Sequence, residues 1–255
     1  EFLSKLKPDL IINAAGKTNL EWCEVNCRET FRCNVEAPLK VFRAWLSWNS
    51  EVPFFHLSSG CIWDGPYDNG KPFRSKGDVV TNASELSPQS YYAWTKATAD
   101  LMLMDLATSH RNVGDKNFSI LRPRQVFSSS NSPRNLLMKL NSYEKLVDTD
   151  NSMTCVETIF KTINKVIPQM QNGKYYLKFL DIYDIGITSP YKVGMMLHEA
   201  GLRDKPVLVT KEELDVSLSP KRVDVVMNDR TFEDIVDPPS IVDTLATCIE
   251  GLKGV

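Results

Sequence analysis

Tyr92 and Lys96 stand four residues apart in Tyr92-Ala93-Trp94-Thr95-Lys96. On a helix that spacing puts the phenol and the ammonium on one face. A cation held near a phenol favours the phenolate and lowers its pKa. A tyrosine tuned in this way can hand a proton to a carbonyl oxygen while hydride reaches the carbonyl carbon. Alone the pattern is weak, because such pairs are common on solvated helix faces. Ser58-Ser59 strengthens it. The pair follows the apolar run Phe54-Phe55-His56-Leu57, and binding groups in open α/β sheets collect at the carboxyl ends of strands.

The elements needed to position these groups are readable. Residues 10–12 form a short, wholly apolar strand ending in the small-residue turn Asn13-Ala14-Ala15-Gly16. Such strands suit a parallel sheet covered on both faces. Helical stretches are expected at 23–33 and 37–48, then the 54–57 strand, then a turn-rich loop over 64–72 marked by Asp64-Gly65 and Asn69-Gly70. Ser87-Pro88-Gln89-Ser90 opens a long helix to about residue 109, and a third strand follows at 119–122. The alternation argues an α/β fold, a Rossmann-like doubly wound parallel sheet. Beyond Ser128 a polar stretch leads to helical pieces, a strand near 175–177, a helix bracketed by Ser189-Pro190 and Gly201, and a last helix over 240–252. Residues 1–128 are read as the sheet domain with the Ser-Tyr-Lys site, and 129–255 as a smaller, mainly substrate-binding α/β part.

Composition narrows the function classes. Of 255 residues, 42% are hydrophobic and 24% charged, an ordinary globular balance. The net charge of −2 comes without like-charge blocks, which argues against a nucleic-acid binder. No apolar run reaches membrane-spanning length. His56, His110 and His198 are too scattered for a histidine-rich metal site. Cys23, Cys27, Cys33, Cys61, Cys155 and Cys248 form no CxxC pair, so free thiols in a reducing, cytoplasmic compartment are expected.

The motifs together resemble the extended short-chain dehydrogenase/reductase family. They are more closely similar to its RmlD-like sugar-nucleotide reductases, and among these to the plant-type UDP-4-keto-6-deoxyglucose 3,5-epimerase/4-reductases of UDP-rhamnose synthesis. Asn13-Ala14-Ala15-Gly16 with Trp22-Cys23-Glu24, Ser59-Gly60-Cys61-Ile62 and the Tyr92–Lys96 segment carry the resemblance. So do Ser132-Pro133-Arg134-Asn135, Tyr143-Glu144-Lys145 and Asn151-Ser152-Met153-Thr154. It covers roughly residues 8–155 and weakens beyond.

The resemblance implies an enzyme using NADP(H), with NAD(H) as the alternative, on a nucleotide-sugar substrate, and a homodimer as its assembly. Tyr92 is then the proton donor to the C4 oxygen, Lys96 the holder of the nicotinamide ribose, and Ser59 a hydrogen-bond partner of the C4 oxygen, where the plant-type enzymes carry Thr. Cys61 and Lys139 match the epimerisation pair. Protons at C3 and C5 flank the C4 ketone, so removing one gives an enolate that needs an acid/base on the sugar and donors at the oxygen. Asn13, Ala14, Ala15, Gly16, Ser58, Gln125 and Val126 border the cofactor in this reading. Arg134, Asn135 and Arg222 are candidates for the nucleotide diphosphate. The plain alternatives are a small buried thiol at Cys61, a solvated helix face at Lys139 and a loop salt bridge at Arg134. Trp22, Trp45 and Trp48 are read as packing residues.

One departure is large. A Rossmann reductase seats the cofactor pyrophosphate on a Gly-rich turn at a helix N-terminus, and no GxGxxG occurs here. About two βα units of the family pattern are absent, so the chain is read as a piece of a longer protein. Two other functions stay open: a reductase acting only on dTDP- or UDP-4-keto-rhamnose, and a non-catalytic RmlD-like binding or regulatory subunit.

Overall fold

The computed structural model describes residues 2–63, 67–68, 71–72, 86–109, 116–173 and 179–254. Its centre is a four-stranded parallel sheet in the order Ile11–Asn13, Phe54–Leu57, Phe118–Pro123, Phe179–Ile182. Asn13 pairs with His56, Leu57 with Leu121 and Pro123 with Ile182. The carboxyl ends of all four strands therefore lie along one edge of the sheet.

The apolar runs read as strands buried on both faces because alternate side chains feed different cores. Phe54, Phe118 and Ile120 pack on one face with Leu39, Phe42, Trp45 and Leu103 from the helices Ala37–Trp48 and Tyr91–Ser109. Phe55, Leu121, Leu180 and Ile182 pack on the other with Ile159, Ile163, Val166 and Met170 of the Val156–Gln171 helix. Phe42, Trp45, Phe54 and Phe118 form an aromatic cluster with ring centroids 4.6 to 6.4 Å apart. Each such pair adds about 0.5–1.5 kcal/mol beyond area burial. The expected doubly wound sheet is the observed one.

A third core belongs to the later part of the chain. Phe127, Leu137, Leu140, Leu146, Val193, Leu197, Leu245 and Ile249 pack there. Two short parallel ladders frame it, Val126–Phe127 with Thr154–Cys155 and Lys145–Val147 with Val207–Val209. The sheet itself does not end at residue 128. The Val156–Gln171 helix is a crossover that returns the chain to the fourth strand, Phe179–Ile182.

Several local expectations change. The expected helix at 23–33 is two short pieces, Leu20–Val25 and Cys27–Phe31, joined through a π-turn at Arg32–Glu36 to the Ala37–Trp48 helix. Asn26 breaks the first piece, and the wide turn aims the buried Asn34 at the Lys17 backbone. The strand expected near 175–177 falls on residues 174–178, outside the described residues, as do Asp64-Gly65, Asn69-Gly70 and His110. Ser189 caps the Pro190–Glu199 helix through the Lys192 N–H, and Gly201 follows it at φ 76°, as its sequence bracket predicts. Among the described residues, no helix is long and apolar enough to cross a membrane.

Candidate active site

The strand ends and one helix build the site. The Tyr91–Ser109 helix starts against them because its first turn is capped twice. Ser90 Oγ accepts the Ala93 N–H at 3.1 Å, and Glu24 Oε1 accepts the Tyr91 N–H at 2.6 Å. A carboxylate at a helix N-terminus also faces the positive end of the dipole. The Trp22-Cys23-Glu24 motif thus sets where Tyr92 begins.

The helix is then held by a buried ion pair. Arg122 Nε donates to Asp100 Oδ2 at 2.8 Å, with both side chains almost wholly buried. The guanidinium also lies over the Phe179 ring at 3.8 Å. Asp100 is one turn beyond Lys96, so the pair fixes the lysine's height along the sheet edge.

Lys96 Nζ donates to Leu57 O at 2.9 Å. Burial lowers its pKa, and Asp100 opposes that shift. A Cβ added at Gly16 would sit 3.6 Å from this ammonium and 3.0 Å from Asn34 Oδ1. Glycine therefore lets the Asn13-Ala14-Ala15-Gly16 turn lie against Lys96. Asn13 Nδ2 lies 3.1 Å from His56 Nδ1. Burial, with Lys96 adding to it, pushes His56 down to about 3, so this ring is neutral. Ala14, Ala15 and Gly16 are exposed beyond the strand. Ser58 faces Asp100.

Ser59 and Tyr92 meet. The Ser59 hydroxyl faces the phenol, and Ser59 Oγ accepts the Cys61 N–H at 3.1 Å as the cap of the Gly60–Ile62 turn. Tyr92 is only 7% exposed. Burial pushes its phenol well above the ordinary value, and the Cys61 sulfur adds to the rise. The Ser59 hydroxyl and the Arg124 charge oppose it. The expected lowering by Lys96 is therefore corrected. The ammonium is engaged with Leu57 O and Asp100, and the phenol is desolvated, so Tyr92 rests as a protonated donor.

Arg124 is the residue that sequence reasoning missed. It is 3% exposed, and Nη1 donates to Cys61 Sγ at 2.9 Å. Nη2 donates to Asn151 Oδ1 at 2.8 Å and to Val223 O, while its backbone N–H donates to Thr154 Oγ1 at 2.9 Å. Asn151 and Thr154 belong to the Asn-Ser-Met-Thr motif, so that motif holds a cation on the sulfur. The available signal was Arg-Pro-Arg at the end of a buried strand. Gln125 follows at φ 44°, with Nε2 3.3 Å from Asn151 Oδ1. Val126 is half-buried and packs with the sheet core.

The remaining candidates form a rim. Asn135 caps the Leu136–Ser142 helix, and its amide also binds Ser128 and Ser130 within the loop. Its polar atoms organise the segment that carries Arg134 and Lys139, both of them exposed. Arg222 pairs with Glu21 across the molecule. Burial would raise the Glu21 pKa, but its backbone hydrogen bond, Arg222 and the charge of Lys139 carry it below the usual carboxylate range. The structure thus gathers Tyr92, Ser59, Cys61 and Arg124 at one point, and Lys139, Arg222 and Glu21 at another.

Residues 1–144 match the family described as NAD dependent epimerase/dehydratase. The chain belongs to that family. A curated relative is the bifunctional dTDP-4-dehydrorhamnose 3,5-epimerase/dTDP-4-dehydrorhamnose reductase of Arabidopsis thaliana, 34% identical over 180 residues. That alignment covers 68% of this chain and 54% of the relative, so the chain spans about half the length of that protein. Among solved structures, the UDP-rhamnose synthase of Acanthamoeba polyphaga mimivirus superposes with TM-score 0.78 at 18% identity, covering 98% of this chain and 84% of that one. A dTDP-4-dehydrorhamnose reductase from Bacillus anthracis, in complex with NADP, superposes with TM-score 0.73 at 15% identity, covering 99% and 82%. Family membership and fold agree with what the motifs implied. Both solved structures share this chain's fold.

Proposed function

We propose that this chain carries the active site of an NADPH-dependent reductase acting on a nucleotide-linked 4-keto-6-deoxyhexose in rhamnose synthesis. The same pocket also performs 3,5-epimerisation, with UDP as the nucleotide. The observation that carries the reading is the meeting of Tyr92, Ser59 and Cys61 at one strand end, with Arg124 donating to the sulfur.

The residues present fit the nicotinamide-ribose half of NADP(H). Lys96 Nζ has one hydrogen bond to Leu57 O beside the open Gly16 turn, and Gln125 Oε1 is a buried acceptor with no partner among the described residues. A carboxamide or ribose hydroxyl suits these groups. None of the 255 residues supplies a GxGxxG seat for the pyrophosphate. When bound, the cofactor supplies the hydride; NAD(H) is the second choice. Lys96 would hold the ribose, with Asn13, Ala14, Ala15, Gly16, Ser58, Gln125 and Val126 around it.

The chain's own chemistry follows from the protonation states. Tyr92, kept protonated by burial, delivers a proton to the C4 oxygen. Ser59 holds that oxygen and the phenol in one hydrogen-bonded line, which polarises the ketone. With the ketone polarised, Cys61 moves a proton at the neighbouring carbon, and Arg124 balances the charge that develops on sulfur. Lys139 serves the opposite face from the rim. Arg222 and Arg134 meet the diphosphate, with Arg222 exchanging Glu21 for phosphate. Asn135 holds the rim loop. Residues 1–128 supply chemistry, and 129–255 mainly bind substrate, apart from the crossover that completes the sheet. Six free cysteines suit a reducing cytoplasm.

The test uses protein made from its complete coding sequence, with UDP-4-keto-6-deoxyglucose and NADPH in deuterated water. Nicotinamide oxidation together with deuterium at C3 and C5 is expected. Oxidation without exchange supports the reductase alone, and neither signal rejects the reading. A homodimer is checked by light scattering.

A further inference from the structure

We propose that Cys155, Cys248 and Glu157, none of them used by the proposed active site, form a binding site for one thiophilic divalent cation of the zinc class. Their ligand atoms all lie within 4.8 Å of one another. The two sulfurs are 3.6 Å apart, and Cys155 Sγ donates to Glu157 Oε2 at 2.6 Å. A tetrahedral zinc with Zn–S near 2.3 Å spans an S–S edge of about 3.8 Å. The thiol pair already holds nearly that spacing. Glu157 is exposed, so its carboxylate is free to swing outward and open room for the cation. Water takes the fourth position.

The surroundings are built for these ligands. Cys155 immediately precedes the Val156–Gln171 helix, and Cys248 lies on the C-terminal helix Ile241–Lys253. Buried Asp184 ties the two helices together. It accepts the Cys155 N–H at 3.2 Å, the Thr158 hydroxyl at 2.6 Å and the Thr244 hydroxyl at 2.6 Å. Thr244 is one turn before Cys248. Hydrogen-bonded supports of this kind orient metal ligands. The charged groups acting on Cys248 are Glu157 and Asp184, both anionic, and a cation offsets them. Binding exchanges two S–H protons for two metal–sulfur bonds. Both protons leave to water, that of Cys155 through the carboxylate it already touches. The bound ion would clamp the C-terminal helix to the start of the crossover helix.

The probe is Co2+, added to the fully reduced protein without oxygen. One equivalent is expected to give a thiolate-to-cobalt charge-transfer band that Zn2+ displaces, and to raise the melting temperature. Cys248→Ser should lose at least about half of that band per bound cobalt, and affinity should fall about tenfold or more. Glu157→Gln, at an exposed position that leaves folding intact, should weaken binding about tenfold while keeping the two-thiolate band. A band equal to wild type in both variants overturns the proposal, because other cysteines then hold the metal. Absence of stoichiometric uptake overturns it too, and leaves the two thiols as packing residues. A Cys155–Cys248 disulfide in the isolated protein, with no cobalt uptake after reduction, does the same.

Discussion

Arg124 Nη1 lies 2.9 Å from Cys61 Sγ. The thiol belongs to a turn that closes the second strand of the sheet, and the guanidinium to the end of the third. Epimerisation needs the sulfur to give and take a proton, and this cation is the nearest charge that follows it. Cys61→Ala is expected to leave NADPH oxidation on an already epimerised substrate near wild type. Deuterium exchange at C3 and C5 should fall about 10²–10⁴-fold, the usual worth of a general acid/base. Equal loss of both activities would show that Cys61 serves structure instead. Arg124→Lys keeps the charge but loses the fork onto Cys61, Asn151 and Val223, so exchange should drop more than reduction.

Tyr92 should behave as a proton donor at all ordinary pH values. Its phenol is held above its usual value, so the activity loss from its ionisation lies above pH 10 rather than near neutrality. Tyr92→Phe should lower kcat for reduction about 10²–10⁴-fold. Ser59→Ala should give a smaller fall, because the phenol remains. A pH–kcat profile breaking near neutrality in wild type and unchanged in Tyr92→Phe would assign the donor elsewhere.

His56 makes stability depend on acid. Its native pKa is about 3 and its unperturbed value about 6.5. Between these the unfolded chain binds a proton that the native ring refuses. Stability is therefore full above about pH 6.5 and falls as pH drops toward 3, at about 1.4 kcal/mol per pH unit at most. Denaturant titrations over this range should show the slope in wild type. His56→Gln should flatten it, whatever it costs at pH 7.

The Arg122–Asp100 pair is the clamp under Lys96. Asp100→Ala removes the hydrogen-bonded partner of a buried guanidinium, leaving it Asp181 at 4.0 Å, and is expected to cost about 3 kcal/mol. Asp100→Asn keeps one acceptor and should cost less. In that folded variant the anion that supported the Lys96 charge is gone, so an effect on cofactor KM should exceed the effect on sugar KM. Unfolding curves and KM values for both substrates check this.

Much of the site was legible because its grammar is local. A four-residue spacing on a helix, a serine pair after an apolar run and a small-residue turn after another need no tertiary information. Tyr92, Lys96, Ser59 and Gly16 do stand where those rules put them. The phenol's protonation is not encoded in that spacing, because its pKa depends on burial. Arg124 carries no such local mark, because a guanidinium near the end of a strand can face solvent, sheet or site. Only the pairing of Phe118–Pro123 between its neighbours turns it onto Cys61.

By itself the sequence determined the alternation of strands and helices, the two-faced burial of the sheet and the residues able to do proton chemistry. Each depends on periodicity or on neighbours a few residues away. The tertiary structure alone decided that residues 156–182 return to the sheet, that Arg222 meets Glu21, and that Cys155 and Cys248 come together across 93 positions. Contacts so distant along the chain are set by how whole elements pack, and no local pattern encodes that.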